Sequence, residues 1–218
     1  MAHSRTYEAI VLRTYDIGEA DRFCILLTRE RGKLAARARG VRKLTSRMGG
    51  NILPLCRIKV NLHENGTGFL ITGAHAVRSC AACSVEEFLQ AQQGIELLMQ
   101  LLEDDDPLPE LFDLTEEFLE ACSRESSPAI LPFSIRLLFL LGLLPRVPTT
   151  ALPEADAQQI HTYMKRCTTK EWLLQDDLSI RSDQCIRNAC NAIIAQHARS
   201  ELRVAAVAGS IARAGKTA

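Results

Sequence analysis

The sequence predicts a multi-domain α and β fold, with an N-terminal five-stranded OB-type β-barrel followed by an α-helical domain. Two changes along the chain predict it, and both fall near residue 80. Before that point the apolar residues alternate or form short blocks typical of strands, and beyond it they recur with a helical period. The net charge is +8 for residues 1–80 and −12 for residues 81–130. We therefore predict a barrel domain in residues 1–80 and a helical domain in residues 81–218.

The composition is typical of a globular protein, with 47% hydrophobic and 24% charged side chains among 218 residues. The first residues lack the apolar core of a secretory signal. The longest apolar run, residues 129–145, is short for a bilayer span and includes Arg136. Eight cysteines without an export signal are expected to be reduced thiols. We therefore expect a cytoplasmic protein that does not bind membranes.

Five strand-like segments precede residue 80, and turn residues separate them. The Asn65-Gly66 pair before the last segment is typical of a hairpin. The longest connection follows the third segment, as in a small barrel of the OB type. An SH3-like barrel fits the number of strands nearly as well. The predicted strands are Tyr7–Arg13, Arg22–Thr28, Lys33–Arg39, Leu55–His63 and Gly68–Val77.

The helical part begins with a capping box, because Ser84 precedes Glu87 by three residues. Further helices are expected after the acidic segment at residues 104–110 and after Ser127, the latter ending at Gly142. The periodicity is weaker beyond that glycine. The predicted helices are Val85–Glu103, a second one containing Leu111–Leu119, Pro128–Leu141, Glu154–Cys167 and Asp183–Arg199.

Positive charge is concentrated around the third strand. Between Arg29 and Arg47 lie eight basic side chains and a single acid, Glu30. Strand alternation places basic side chains on one face and apolar side chains on the other in the third and fourth strands. The loop after the third strand continues the charge. The predicted nucleic-acid contacts are Lys33, Arg37, Arg39, Arg42, Lys43, Arg47, Arg57 and Lys59.

Such a surface suits a polyanion. A purely solvated charged face is the alternative, but the position on an OB-type strand and loop favours phosphate binding. Aromatic residues are few in this part, namely Tyr7, Tyr15, Phe23 and Phe69, so we expect little base stacking. Phosphate contacts do not distinguish deoxyribose from ribose, and an RNA-binding OB-fold protein therefore stays possible.

An enzyme is the competing class. Cys80 and Cys83 form a C-x-x-C pair at the start of a helix, where a thiolate is stabilised, and a redox or metal role would use them. No second pair has metal spacing. The five histidines match no arrangement of base and nucleophile. We expect no enzyme activity, no cofactor and no metal.

The segment Ala9–Gly50 resembles the N-terminal part of the RecO family of bacterial DNA repair and recombination proteins. A second segment, Phe133–Pro145, is similar to the family's central helix and the L-L-G-x-x-P that follows it. The matching pieces of the first segment are G-E-x-D at Gly18–Asp21, L-T-x-x-x-G-K at Leu27–Lys33, A-R-G-x-R-K at Ala38–Lys43, and S-R at Ser46–Arg47. About half of the chain matches residue by residue.

The resemblance implies binding to single- and double-stranded DNA, annealing of complementary strands, and help in loading recombinase onto coated single strands. The implied partners are RecR and the acidic C-terminal tail of single-stranded DNA-binding protein, and the implied location is the nucleoid. For the tail we expect a pocket at Arg136, Leu137, Phe139 and Leu140, where a cation lies beside apolar residues. Many members have a four-cysteine zinc site after L-L-G-x-x-P, but no C-x-x-C follows Pro145 here.

Overall fold

The computed structural model describes residues 4–66, 68–78, 84–123, 129–173, 178–200 and 202–203. The chain divides into two compact units. One contains Met1–Cys83 together with Leu102–Glu116, and the other contains Ser84–Leu101 together with Glu117–Ala218.

The first unit is a closed barrel of five strands in the order β1-β2-β3-β5-β4. Neighbouring strands are antiparallel except for β3 and β5, which pair in parallel. This order and closure confirm the predicted OB-type barrel. The strands are β1 (Ser4–Ile17), β2 (Asp21–Thr28), β3 (Gly32–Ala38), β4 (Arg57–Asn65) and β5 (Gly68–Arg78).

Strand β1 is longer than predicted because it pairs with two strands in succession. Its residues Ser4–Ile10 lie opposite β4, and Ala9–Ile17 lie opposite β2. Alternate residues point into the barrel, where Ala9, Cys24 and Ala36 belong to one buried cluster.

Segment 102–116 covers part of the barrel exterior. The register places Ile10 opposite both Arg57 and Leu27, and Leu27 opposite Lys33. Arg57 and Lys33 both contact residues of segment 102–116, and the two apolar side chains between them are only 1–2% exposed. This segment therefore acts as a second layer over one row of the barrel.

The second unit is helical, and its described helices follow the predicted pattern closely. The Ser84–Glu87 capping box is present, with both reciprocal hydrogen bonds at 3.0 and 3.2 Å. The helices are α1 (Val85–Leu101), α2 (Pro109–Cys122, whose first half belongs to the barrel unit), α3 (Ile130–Leu140), α4 (Glu154–Cys167) and α5 (Ile180–His197). Helix α5 begins three residues before its predicted start because the Ser179 hydroxyl caps it, accepting from the Ser182 amide at 3.1 Å.

Helix α3 ends as predicted at Gly142, which has a φ of +72°. The Leu143 amide donates to the Leu138 carbonyl at 2.7 Å and the Gly142 amide to the Phe139 carbonyl at 3.0 Å, which together form a Schellman motif. The predicted cap Ser127 and first residue Pro128 lie outside the described residues. No helix in the described ranges is both long enough and apolar enough to cross a bilayer.

Candidate nucleic-acid interface

Lys33 does point outward from β3, but it does not reach solvent, and the prediction of an exposed cation there is wrong. The residue is 4% exposed. Its ammonium donates to the Leu102 carbonyl at 2.6 Å and lies 3.2 Å from the Asp104 carboxylate. Alternation identifies the outer face of a strand, but it cannot show that another segment covers that face.

Arg57 is covered in the same way. Its guanidinium pairs with Glu8 at 2.8 Å and with Glu116, and it lies 5.9 Å from the centre of the Phe112 ring. The hydrogen bond from Arg57 lowers the pKa of the Glu8 carboxyl. Carboxylates therefore occupy both sides of Arg57, so the nucleic-acid contact predicted at this position would compete with two ion pairs.

Arg37 is half exposed beside Asp21, the first residue of β2. Its Nε and Nη2 atoms donate to Asp21 at 3.0 and 2.6 Å. The Gly40 amide donates to the same carboxylate at 2.8 Å. These contacts, the Gly40 amide first and Arg37 second, lower the pKa of Asp21. Asp21, the last residue of the G-E-x-D motif, thus holds the start of the loop that follows β3.

Arg42 fastens that loop to the β1–β2 turn. Its Nη1 atom donates to the Gly18 carbonyl at 2.9 Å, and its Nε lies 3.3 Å from Asp16. The Arg42 amide donates to the Ala20 carbonyl at 2.9 Å. Arg42 therefore has a structural role, while 36% of its side chain stays exposed.

Arg39, Lys43 and Arg47 are exposed cations. Within the described part of the chain, none of them forms an ion pair with a carboxylate. The loop beneath them is nonetheless fixed, because Val41 and Ile52 are buried in the barrel core. The five residues Arg37, Arg39, Arg42, Lys43 and Arg47 form a surface that we call the cationic edge.

Lys59 is exposed but lies elsewhere on the barrel. Its register partners are Glu8 on β1 and His75 on β5. Arg37, by contrast, lies opposite Leu70 of β5, five positions from His75. Lys59 therefore does not extend the cationic edge.

Two aromatic side chains lie next to the cationic edge. Tyr15 lies directly opposite Phe23, and Phe23 lies directly opposite Arg37. Tyr15 is 45% exposed and Phe23 is half-buried. Phe23, Arg37 and Arg39 all line a cleft of about 540 Å³. The tight turn between β1 and β2 was the signal, because it pairs Ile17 with Asp21 and hence Tyr15 with Phe23.

The residues predicted for partner binding have different environments. Leu137 is fully buried in the core of the helical unit, so its assignment to an exposed pocket is wrong. Arg136 donates to the Thr168 carbonyl at the end of α4 and lies 5.4 Å from the Phe139 ring. Phe139 is 42% exposed and Leu140 is partly buried. Leu137 therefore packs in the core of the helical unit, and Arg136 caps the C-terminal end of α4.

Two of the buried cysteines, Cys24 and Cys190, have surroundings that keep their thiols protonated. Burial raises the pKa of Cys24 to about 11 and that of Cys190 to about 12, so neither thiol ionises near neutral pH. In the ranges that the structure describes, no group of three or more histidine, cysteine or acidic residues could hold a metal ion. Cys80 and Cys83 lie outside the described residues.

The fold defines this chain as an OB-barrel protein with an added helical region, and an exposed group of arginine and lysine side chains lies on one edge of the barrel. Two family models match it, "Recombination protein O N terminal" over residues 1–79 and "Recombination protein O C terminal" over residues 84–163. The chain belongs to the RecO family.

Several bacterial proteins called DNA repair protein RecO are similar to this chain. The one from Myxococcus xanthus is 37% identical over 66% of this chain and 62% of its own length. The protein from Anaeromyxobacter dehalogenans is 36% identical over 65% of this chain and 58% of its own length. The protein from Heliobacterium modesticaldum is 41% identical over 64% of this chain and 52% of its own length. The aligned region thus covers between half and two thirds of these relatives.

Proposed function

We propose that this protein is a mediator of DNA repair and recombination in the bacterial cytosol, at the nucleoid, and that it acts by binding rather than by chemistry. It holds single- and double-stranded DNA on the cationic edge, anneals complementary strands and helps to load recombinase. Its proposed partners are RecR and the C-terminal tail of single-stranded DNA-binding protein. The observation that carries the proposal is the group of exposed cations on a fixed loop of an OB-type barrel, in a chain of this family.

The cations of the cationic edge fall into two groups, those without a carboxylate partner among the described residues and those that already pair with one. Arg39, Lys43 and Arg47 are available at once, whereas Arg37 and Arg42 share their charge with Asp21 and Asp16. Arginine has five donors, so a guanidinium that binds one carboxylate can still donate to a phosphate. Three to five phosphates would then be neutralised.

The salt dependence of binding tests this proposal. With three to five phosphate contacts, the logarithm of the affinity for a single-stranded oligonucleotide should fall against log salt with a slope of about −2 to −3.5. Replacing Arg39, Lys43 and Arg47 together by alanine removes about three contacts, so the magnitude of the slope should fall by about 2, to between about 0 and −1.5, and binding of all sequences should weaken alike. Fluorescence anisotropy at several salt concentrations measures both effects.

The matched control replaces Arg5 and Lys59 by alanine, because both are also exposed and lie on other parts of the barrel. This variant should keep the affinity and slope of the wild type. A slope near zero for the wild type, or equal losses in both variants, would contradict binding at the cationic edge. Competition between DNA and RNA of equal length distinguishes DNA repair from the RNA-binding alternative.

A further inference from the structure

We propose that the cleft beside the cationic edge is a subsite for an unpaired nucleobase, which stacks against Phe23 while its phosphate lies on Arg37 and Arg39. This inference rests on the proposed function and adds what that function lacks, a contact with a base. It assigns to Tyr15 and Phe23 the role of a stacking surface on the barrel exterior.

The first argument is the row of side chains that crosses the barrel. From β1 to β5 the register aligns Tyr15, Phe23, Arg37 and Leu70, each directly opposite the next. Residues directly opposite each other project from the same face of a sheet. The row thus presents two aromatic rings, one guanidinium and one aliphatic side chain side by side, outside the barrel core.

The second argument is the shape of the cleft. Its volume of about 540 Å³ is within the range of about 300–1,000 Å³ for small-molecule pockets. Apolar walls come from Ile17, Phe23, Phe69 and Leu70, and the cations come from Arg37 and Arg39. A nucleotide has the same two parts, since its base has an apolar face and its phosphate is an anion.

The third argument is that both cations and carboxylates line the cleft. Asp104 and Asp105 line it together with the two arginines. Both acids are held in place, Asp104 at 3.2 Å from Lys33 and Asp105 at 2.9 Å from Arg31. Carboxylates repel a phosphate but accept hydrogen bonds from the amino groups of bases. Phosphate is therefore favoured at the arginines, and an acidic peptide is disfavoured as the occupant.

The subsite makes single strands different from duplexes. In a duplex the bases are stacked on each other, and their faces cannot reach Phe23. The cationic edge should therefore bind phosphates of both forms, while the cleft adds affinity for unpaired bases alone.

The test compares the 218-residue protein with its Phe23→Leu variant on three probes of equal length: a mixed-sequence single strand, an abasic single strand and a duplex. Leucine keeps the apolar volume, and a half-buried outer position should tolerate it. We expect binding of the normal single strand to weaken by about 5-fold or more. Binding of the abasic strand and of the duplex should be unchanged. Arg39→Ala, the control, should weaken all three.

The outcomes separate the two proposals. If Phe23→Leu binds every probe like the wild type, the subsite does not exist, although phosphate binding at the cationic edge stands. Equal weakening on all three probes would also overturn the subsite, because it would show a general effect on the barrel. An acidic, apolar peptide serves as a fourth probe: if Phe23→Leu weakens binding of the peptide but not of the single strand, the subsite for a nucleobase is also overturned. If the wild type binds none of the probes, the proposed function fails as well.

Discussion

At the scale of single residues, two lysines of this chain look alike in the sequence and differ in the structure. Lys33 and Lys43 both belong to the basic stretch around β3. Lys33 is buried against the Leu102 carbonyl, whereas Lys43 is exposed on the cationic edge. The same residue type therefore stabilises the fold in one place and is available to a ligand in the other.

Replacing each lysine by methionine should give opposite results. Lys33→Met leaves the buried Leu102 carbonyl without its donor and should lower the free energy of unfolding by about 1–3 kcal/mol, with no change in the salt slope of DNA binding. Lys43→Met should change stability by less than about 0.5 kcal/mol and reduce the slope by about 0.7. Urea unfolding and anisotropy titrations measure the two quantities. A weaker slope in the Lys33 variant at normal stability would show that this lysine does contact DNA.

Sequence alone could find the face of a strand but not what covers it. Alternation correctly puts Arg37, Arg39 and Lys59 on the outer face, and it also puts Lys33 and Arg57 there. The last two pair with Asp104 and Glu116, which are far away in the sequence. Such pairs depend on the path of the chain after α1, and local periodicity contains no information about that path.

At the scale of elements, the barrel needs a glycine at the position where segment 102–116 approaches it closely. Gly32 starts β3 with a φ of +66°, and a Cβ at this position would lie 2.1 Å from the Asp106 carbonyl oxygen. Gly18 in the β1–β2 turn has a similar φ of +56° but no atom within 4 Å of its Cβ position. Substitution at Gly18 therefore tests backbone strain alone, whereas substitution at Gly32 tests backbone strain together with a steric clash.

We predict that Gly32→Ala destabilises the protein more than Gly18→Ala. Both substitutions cost about 1–2 kcal/mol because alanine disfavours the left-handed region. At Gly32 the displaced backbone of Asp106 adds about 1–3 kcal/mol. The urea midpoints of the two variants test this difference. Equal midpoints would mean that segment 102–116 moves aside without cost.

Short-range patterns were enough for most elements, and long-range pairing explains the exceptions. The helix at Glu154–Cys167 has its predicted bounds, and the capping box at Ser84 begins α1 as expected. The extra length of β1 was missed because two strands, distant in sequence, pair with its two ends. The pairing of Tyr15 with Phe23 was also not predicted, although it follows from the tight β1–β2 turn, which places Ile17 opposite Asp21.

At the scale of the whole molecule, the neutral net charge conceals opposite charges that partly meet within the barrel unit. The acids of segment 102–116 pair with Arg29, Arg31, Lys33 and Arg57. The cations that remain exposed are those of the cationic edge, together with scattered ones such as Lys59. The acidic segment therefore pairs with these four cations and leaves those of the cationic edge exposed.

A fragment ending at residue 80 should consequently be less stable than a fragment ending at Glu116. The shorter fragment lacks segment 102–116, so Ile10 and Leu27 become exposed and Lys33 and Arg57 lose their acidic partners. Exposing two such apolar side chains costs about 3–6 kcal/mol. Hydrogen exchange followed by mass spectrometry should show faster exchange in β2 and β3 of the shorter fragment, and protection close to that of the full chain in the longer one. Equal protection in both would mean that the barrel is complete at residue 80 and that segment 102–116 adds nothing to its stability.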